Sequence, residues 1–96
     1  ELPKQKKYVK HVHHLYVIRL NKRELVIDFL REKNICTGVH YPVPCHQQPA
    51  VTNFFGQTSL PRTEEYCKKI LSLPIFPTIS EEQVRYVARH LASAIE

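Results

Sequence analysis

The sequence feature that most limits the fold is a stretch whose centre is apolar on both of its alternating faces. His11–Leu20 reads HVHHLYVIRL, and Leu15–Ile18 forms the apolar centre. Successive side chains of a strand point to opposite faces of a sheet, so this strand needs cover on both sides. A chain of 96 residues has room for only one domain. We therefore expect helices on one face, while Leu15 and Val17 on the other face dock on a surface outside this chain.

Helical periodicity follows this stretch and also closes the chain. Apolar residues at helical spacing predict an amphipathic helix over Lys22–Lys33, and Asn21 with Glu24 forms a capping-box pattern at its start. Ser80 and Gln83 form a second capping-box pattern. The clearest apolar stripe of the chain follows it, made by Val84, Val87, Ala88, Leu91, Ala92 and Ile95. This pattern predicts a C-terminal amphipathic helix.

The middle of the chain predicts a second strand and further short elements. Ile35–Tyr41 alternates in the manner of a strand and meets Pro42 and Pro44, which cannot donate to a ladder. A short helix is expected around Ala50–Phe55, another from Pro61, and a brief extended piece over Leu73–Phe76. The order predicts an α+β fold, with a small, mainly antiparallel sheet of about three strands, helices packed on one face and a C-terminal amphipathic helix.

Composition limits the cellular location and the partners that we expect for this chain. Residues 1–10 are polar and basic and are interpreted as a linker arm, so the domain is expected over 11–96. No apolar run approaches the roughly 18 residues of a membrane span, and no apolar signal core follows the first lysines. Cys36, Cys45 and Cys67 lack a paired spacing, which favours reduced thiols over a disulfide framework. We expect a soluble, cytoplasmic protein with no membrane partner.

Three other kinds of site fit the sequence poorly. His40, Cys45 and His46 are possible zinc ligands, but no second cysteine pair follows. A Cys/His nucleophilic site needs a base within reach and a third orienting group, and the sequence shows neither. The net charge of +5 suits an anionic ligand, but the aromatic residues are not interleaved with Lys and Arg as in a nucleic-acid platform. We therefore expect neither a metal nor a nucleic acid.

Thr37–Pro49, with the sequence TGVHYPVPCHQQP, is the segment that a purely structural interpretation explains least well; we call it the proline segment. Two prolines on either side of Val43 restrict the backbone. The polar side chains around them offer hydrogen-bond donors and acceptors: His40, Tyr41, His46, Gln47 and Gln48. Rigid backbone that carries polar side chains suits a binding surface. The alternative is a turn that merely crosses the surface.

Several motifs occur in the order of a known C-terminal domain. They are HVHHLYVIR at the first strand, TGVHYPVP, His46 with Gln48–Ala50, LSLP at Leu71–Pro74, and SEEQV at Ser80–Val84. With these motifs the chain resembles the DegT/DnrJ/StrS family of sugar aminotransferases, which are fold-type I enzymes that use pyridoxal phosphate. The resemblance covers nearly everything after residue 10. It implies a C-terminal small domain that closes one side of the active-site cleft.

The resemblance also implies a reaction and partners. It implies a homodimer whose large domain holds pyridoxal phosphate through a Schiff-base lysine. The enzyme would transfer an amino group from an amino acid such as glutamate to a nucleotide-linked keto-sugar. No segment here resembles the family's lysine motif, so we expect no catalytic residue, no bound cofactor and no activity in this chain alone.

By position, His40, Tyr41 and His46 match family residues that approach the substrate and cofactor, which implies contacts to sugar or phosphate. Cys45 and Val51 depart from the family's usual residues, which leaves the choice of nucleotide-sugar open. The same resemblance extends to dehydratases built on the same cofactor. A stand-alone binding or interaction module is a further alternative.

Overall fold

The computed structural model describes every residue from Glu1 to Glu96. It has an antiparallel pair of strands and four α-helices, which confirms the predicted α+β class. A short 3-10 turn over Cys45–Gln47 precedes the second helix. In chain order the elements are β1 (Tyr16–Arg19), α1 (Arg23–Glu32), α2 (Pro49–Phe55), α3 (Pro61–Lys69), β2 (Ile70–Leu73) and α4 (Glu81–Ile95).

The hydrophobic core lies between one face of the sheet and the helices α1 and α4. In the register of the two strands Ile18 lies opposite Leu71, and both side chains point into the core with Leu30 of α1. These three side chains are fully buried, and each contributes about 1.5–3 kcal/mol relative to an exposed position. The half-buried apolar residues of α4 complete this side, namely Val87, Leu91 and Ala94. The prediction of helices packed on one face is confirmed.

The sheet has two strands rather than about three. The predicted strand over Ile35–Tyr41 is reduced to one bridge, in which Gly38 and Ser72 exchange N–H···O bonds of 3.0 and 2.7 Å. Pro42 and Pro44, which carry no N–H to donate, prevent pairing from extending beyond Tyr41. The alternation itself is present, because Ile35 is buried and Val39 packs on the core.

The predicted bounds of the other extended segments also shift. The stretch expected as a strand over His11–Leu20 pairs only at Tyr16–Arg19. His13 has a left-handed backbone with φ of 50°, which interrupts an extended run. The extended piece expected over Leu73–Phe76 forms a strand earlier, over Ile70–Leu73, directly after α3.

The two predicted capping boxes have different outcomes. At α4 the box is present, because the Gln83 N–H donates to Ser80 Oγ at 3.1 Å and the Ser80 N–H donates to Gln83 Oε1 at 2.9 Å. At α1 the prediction is wrong. That helix follows Lys22, whose backbone is left-handed with φ of 55°, and no side chain caps it. Its bounds nevertheless agree with the predicted Lys22–Lys33 to within one residue at each end.

The other face of the sheet carries Val17, Arg19, Ile70 and Ser72. The N-terminal arm reaches this face, since the main chain of Glu1 exchanges two hydrogen bonds with that of Arg19, at 2.7 and 2.9 Å. As a result Val17 is half-buried within this chain, and its docking on an outside surface stays a prediction. None of the helices has the length and apolar character needed to cross a membrane.

Candidate functional site

His40 lies against the sheet on the face opposite the core. Its Nδ1 is 2.9 Å from the hydroxyl oxygen of Ser72, which is 4% exposed. Its ring also covers Gly38, where an added Cβ would lie 2.7 Å from His40 Cε1. A side chain at 38 would therefore force the imidazole out of this position. Gly38 and Ser72 together therefore hold the His40 ring in place, Gly38 by leaving space for it and Ser72 by a hydrogen bond.

Tyr41 lies next to His40 and faces solvent. The two rings meet edge to face with centroids 5.6 Å apart, and the peptide bond between the residues is cis. Tyr41 is 69% exposed, and no hydrogen bond engages its hydroxyl. An imidazole and a free phenol thus stand side by side at the edge of the sheet.

His46 lies in the 3-10 turn that follows the buried Pro44, and its side chain is only 11% exposed. Its Nε2 is 3.0 Å from Oε1 of Glu64, in the first turn of α3. The same carboxylate oxygen accepts the backbone N–H of Leu60 at 2.8 Å. The hydrogen bond from His46, followed by that from Leu60, lowers the pKa of Glu64 from its ordinary value. An ionised carboxylate therefore ties the proline segment to α3.

The structure brings two of the three predicted site residues into contact. His40 and Tyr41 touch, whereas His46 is bonded to α3 and to neither of them. Sequence reasoning missed their partners, Ser72 and Glu64. Ser72 gave a weak signal, because a serine within the apolar strand ILSL is buried and needs a hydrogen-bond partner. Glu64 gave no signal in the sequence, because it lies 18 residues from His46.

A polar depression of about 460 Å³ lies beside α3. Most of its charges are already paired, Arg19 with Glu1 and Lys69 with Glu65. The hydrogen bond from Lys69 lowers the pKa of Glu65, and the bond to Glu1 raises the pKa of Arg19. Paired and exposed charges of this kind contribute little and are screened by salt.

Other chemistry has little support in the arrangement. No group of three or more His, Cys, Asp or Glu side chains is placed to hold a metal ion. The three cysteines are free thiols, with Cys36 and Cys45 exposed. Every lysine is exposed or half-buried. The site contains two imidazole rings that hydrogen bonds hold in place, those of His40 and His46, and the accessible phenol of Tyr41. These groups suit the binding of a polar ligand.

The model of the DegT/DnrJ/EryC1/StrS aminotransferase family matches residues 1–92. A "Pleiotropic regulatory protein" of Geobacillus stearothermophilus is 43% identical over 85% of this chain and 22% of its own length. A dTDP-3-amino-3,6-dideoxy-alpha-D-galactopyranose transaminase of Aneurinibacillus thermoaerophilus is 43% identical over 80% of this chain and 21% of its own length. The chain thus spans about a fifth of these relatives.

Solved structures agree with this match. DesV of S. venezuelae, in complex with a ketimine intermediate, matches with a TM-score of 0.86 and 33% identity, over 99% of this chain and 26% of its own. NtdA of Bacillus subtilis, with bound cofactor PMP, matches with a TM-score of 0.81 and 26% identity, over 99% of this chain and 22% of its own. The likeness runs from end to end of the fold described above. The chain belongs to the DegT/DnrJ/EryC1/StrS aminotransferase family.

Proposed function

We propose that this chain is the C-terminal small domain of a pyridoxal-phosphate-dependent aminotransferase that acts on a nucleotide-linked keto-sugar. The observation that carries the proposal is the end-to-end likeness to DesV, in which the matched part is 26% of a larger chain. The remaining part of such an enzyme would be a large domain that holds the cofactor. We also propose that the full-length enzyme is a homodimer and takes its amino group from an amino acid such as glutamate.

The residues of this chain do not by themselves fit the cofactor. When bound, pyridoxal phosphate supplies a ring that stabilises negative charge on the substrate carbon, and its Schiff-base lysine must be desolvated and positioned. The least exposed lysines are Lys33, which lies over the Phe29 ring, and Lys69, which is paired with Glu65. Neither is desolvated. We therefore assign the cofactor lysine to a part of the enzyme outside these residues.

Within this proposal, His40, Tyr41 and His46 contribute polar contacts to the substrate. Tyr41 has an accessible hydroxyl, and His40 is held beside it by Ser72, so the His40 ring is oriented before a ligand arrives. Such preorganisation favours binding because little side-chain entropy remains to be lost. The free thiols Cys36, Cys45 and Cys67 support a cytoplasmic location, where thiols stay reduced.

The test needs the full-length protein that contains this chain. We expect it to produce 2-oxoglutarate from glutamate in the presence of a dTDP- or UDP-linked keto-sugar, whereas the 96-residue chain has no activity. After borohydride reduction with the cofactor, mass spectrometry should find no lysine adduct on the isolated chain. Absence of amino transfer by the full-length protein to any such sugar, or an adduct on the isolated chain, would contradict the proposal.

Substitutions in the full-length enzyme test the three site residues. His40→Ala, Tyr41→Phe and His46→Ala, each alone, should lower kcat/KM toward the sugar roughly 5- to 150-fold, the effect of losing about 1–3 kcal/mol of polar contact. The melting temperature should change by only a few degrees. Tyr8→Phe and His14→Ala alter exposed residues of the same types and serve as controls. If the three variants melt earlier but keep their specific activity, the proline segment is a structural turn.

A further inference from the structure

The two ring nitrogens of His46 are in different situations. Nε2 is bonded to Glu64, whereas Nδ1 has no hydrogen-bond partner. No buried side-chain nitrogen or oxygen lacks a partner anywhere in the structure. Since Nδ1 is unpartnered, it must therefore reach the surface. A nearly buried histidine thus presents a single free nitrogen to whatever binds beside it.

The partner of Nε2 determines what that free nitrogen can do. An ionised carboxylate only accepts hydrogen bonds, and Oε1 of Glu64 already accepts the backbone N–H of Leu60 at 2.8 Å, which favours the ionised form. Nε2 must then carry the proton in this contact. In a neutral imidazole one nitrogen donates and the other accepts. Nδ1 of neutral His46 is therefore an acceptor.

His40 lacks this constraint. Its Nδ1 faces the hydroxyl of Ser72, and a hydroxyl can either donate or accept. The contact leaves both tautomers of His40 available, so its outward nitrogen can meet either kind of ligand atom. Of the two histidines, only His46 has its hydrogen-bonding role fixed by its partner.

We propose that Glu64 is a positioning residue that holds His46 in the Nε2–H tautomer, so that neutral His46 accepts a hydrogen bond from a hydroxyl or N–H group of the substrate. An oxygen of a sugar-linked diphosphate, which carries no proton and only accepts, is then excluded as its partner. The identity of the ligand as a sugar hydroxyl rests on the proposed function, whereas the tautomer rests on this chain alone. Of the two contacts that the family resemblance implied for His46, sugar or phosphate, this assigns the sugar.

Long-range ¹H–¹⁵N NMR spectra of the labelled 96-residue chain read the proton on each ring nitrogen directly. In spectra recorded at about pH 8, His46 should be more completely in the Nε2–H form than the exposed His14, which serves as an internal reference. A protonated His46, an Nδ1–H form, or a tautomer ratio equal to that of His14 would overturn the proposal.

Variants at two neighbouring carboxylates separate positioning from general structure. Glu64→Ala should move the tautomer ratio of His46 toward that of His14, and Glu64→Lys, which can only donate, should reverse it toward Nδ1–H. Glu65→Ala is the matched control, because Glu65 is bonded only to Lys69 and should leave His46 unchanged. An unchanged ratio in folded Glu64→Ala refutes the proposal. If that variant does not fold, the wild-type spectrum still tests whether His46 is in the Nε2–H form.

Dimethyl phosphate, a phosphodiester without an O–H group, provides the test of ligand type. Added to the wild-type chain at about pH 8, it should leave the His46 ring signals in place, because it can only accept and Nδ1 has no proton to donate. Phosphate-dependent protonation of Nδ1 would count against the assignment. Failure of the full-length protein to transfer amino groups would refute the proposed function and leave the tautomer result intact, so the two failures are distinguishable.

Discussion

The half of the molecule built from β1, α1, β2 and α4 contrasts with the half built from the proline segment, α2 and the start of α3. Seven of the eight buried residues lie in or beside the elements of the first half, and Pro44 is the exception. The second half is held by the Gly38–Ser72 backbone bonds and the hydrogen bonds of His40 and His46, and it leaves Phe54 and Phe55 of α2 more than 80% exposed. Apolar burial therefore fixes one half, while a few polar contacts fix the half that carries the candidate site.

The largest expected effect tests the first half. Leu71→Ala removes a fully buried side chain and should destabilise the fold by about 2–5 kcal/mol, which lowers the melting temperature by roughly ten degrees or more. Leu25→Ala, on the exposed side of α1, should change stability by no more than about 0.5 kcal/mol. Urea and thermal unfolding measure both variants. Equal effects at the two positions would contradict the conclusion that apolar burial fixes the first half.

A smaller effect is expected where the two halves meet. Ser72→Ala removes the hydroxyl that seats His40, and because the exposed imidazole can bond to water instead, the cost should be about 0.5–1.5 kcal/mol. NMR relaxation of the His40 ring should show greater mobility, while the signals of Ile18 and Leu30 stay in place. Ser93→Ala, on α4, is the control and should leave His40 unaffected. Broad shifts throughout the core would mean that the halves are not separable.

The smallest expected effect is on the stability of the fold at low pH. The pKa of Glu64 in the folded chain is lowered below its ordinary 4.5, so its contribution to stability is fully present above that pH. That contribution is lost as the pH falls through the lowered value. Melting temperatures between about pH 3 and 6 should therefore fall less steeply for Glu64→Gln than for wild type. The corresponding effect of Glu65→Gln should shrink in high salt, because its partner Lys69 is more exposed. Parallel acid curves for wild type and Glu64→Gln would contradict the contact with His46.

The sequence predicted best those features that depend on neighbouring residues. The α4 capping box needs only Ser80 and Gln83, three positions apart, and it is present. The same kind of pattern at Asn21 failed, because the left-handed backbone of Lys22 changes how the chain enters α1. Local patterns predict a cap but not the direction from which the chain arrives.

Features set by distant residues were not predictable in the same way. Whether Ile35–Tyr41 pairs over its whole length depends on how it meets β2, more than 30 positions along the chain, and only Gly38 pairs, with Ser72. The resemblance pointed to His40, Tyr41 and His46, but no local pattern connects His46 with Glu64 or His40 with Ser72. The roles of the site residues depend on these partners, and only the folded chain brings them together.

The close fit between Gly38 and His40 has a consequence for how such a domain can change over time. An alanine at 38 would place its Cβ 2.7 Å from Cε1 of the ring at 40, so the ring would have to move and give up its contact with Ser72, whereas a small residue at 40 would leave the glycine open to solvent. Bulk at 38 is therefore unfavourable as long as the ring at 40 keeps its contact with Ser72, whereas the ring at 40 can be lost first. Across related proteins the two positions should vary as a pair, with bulk at 38 appearing only where the ring at 40 has been lost.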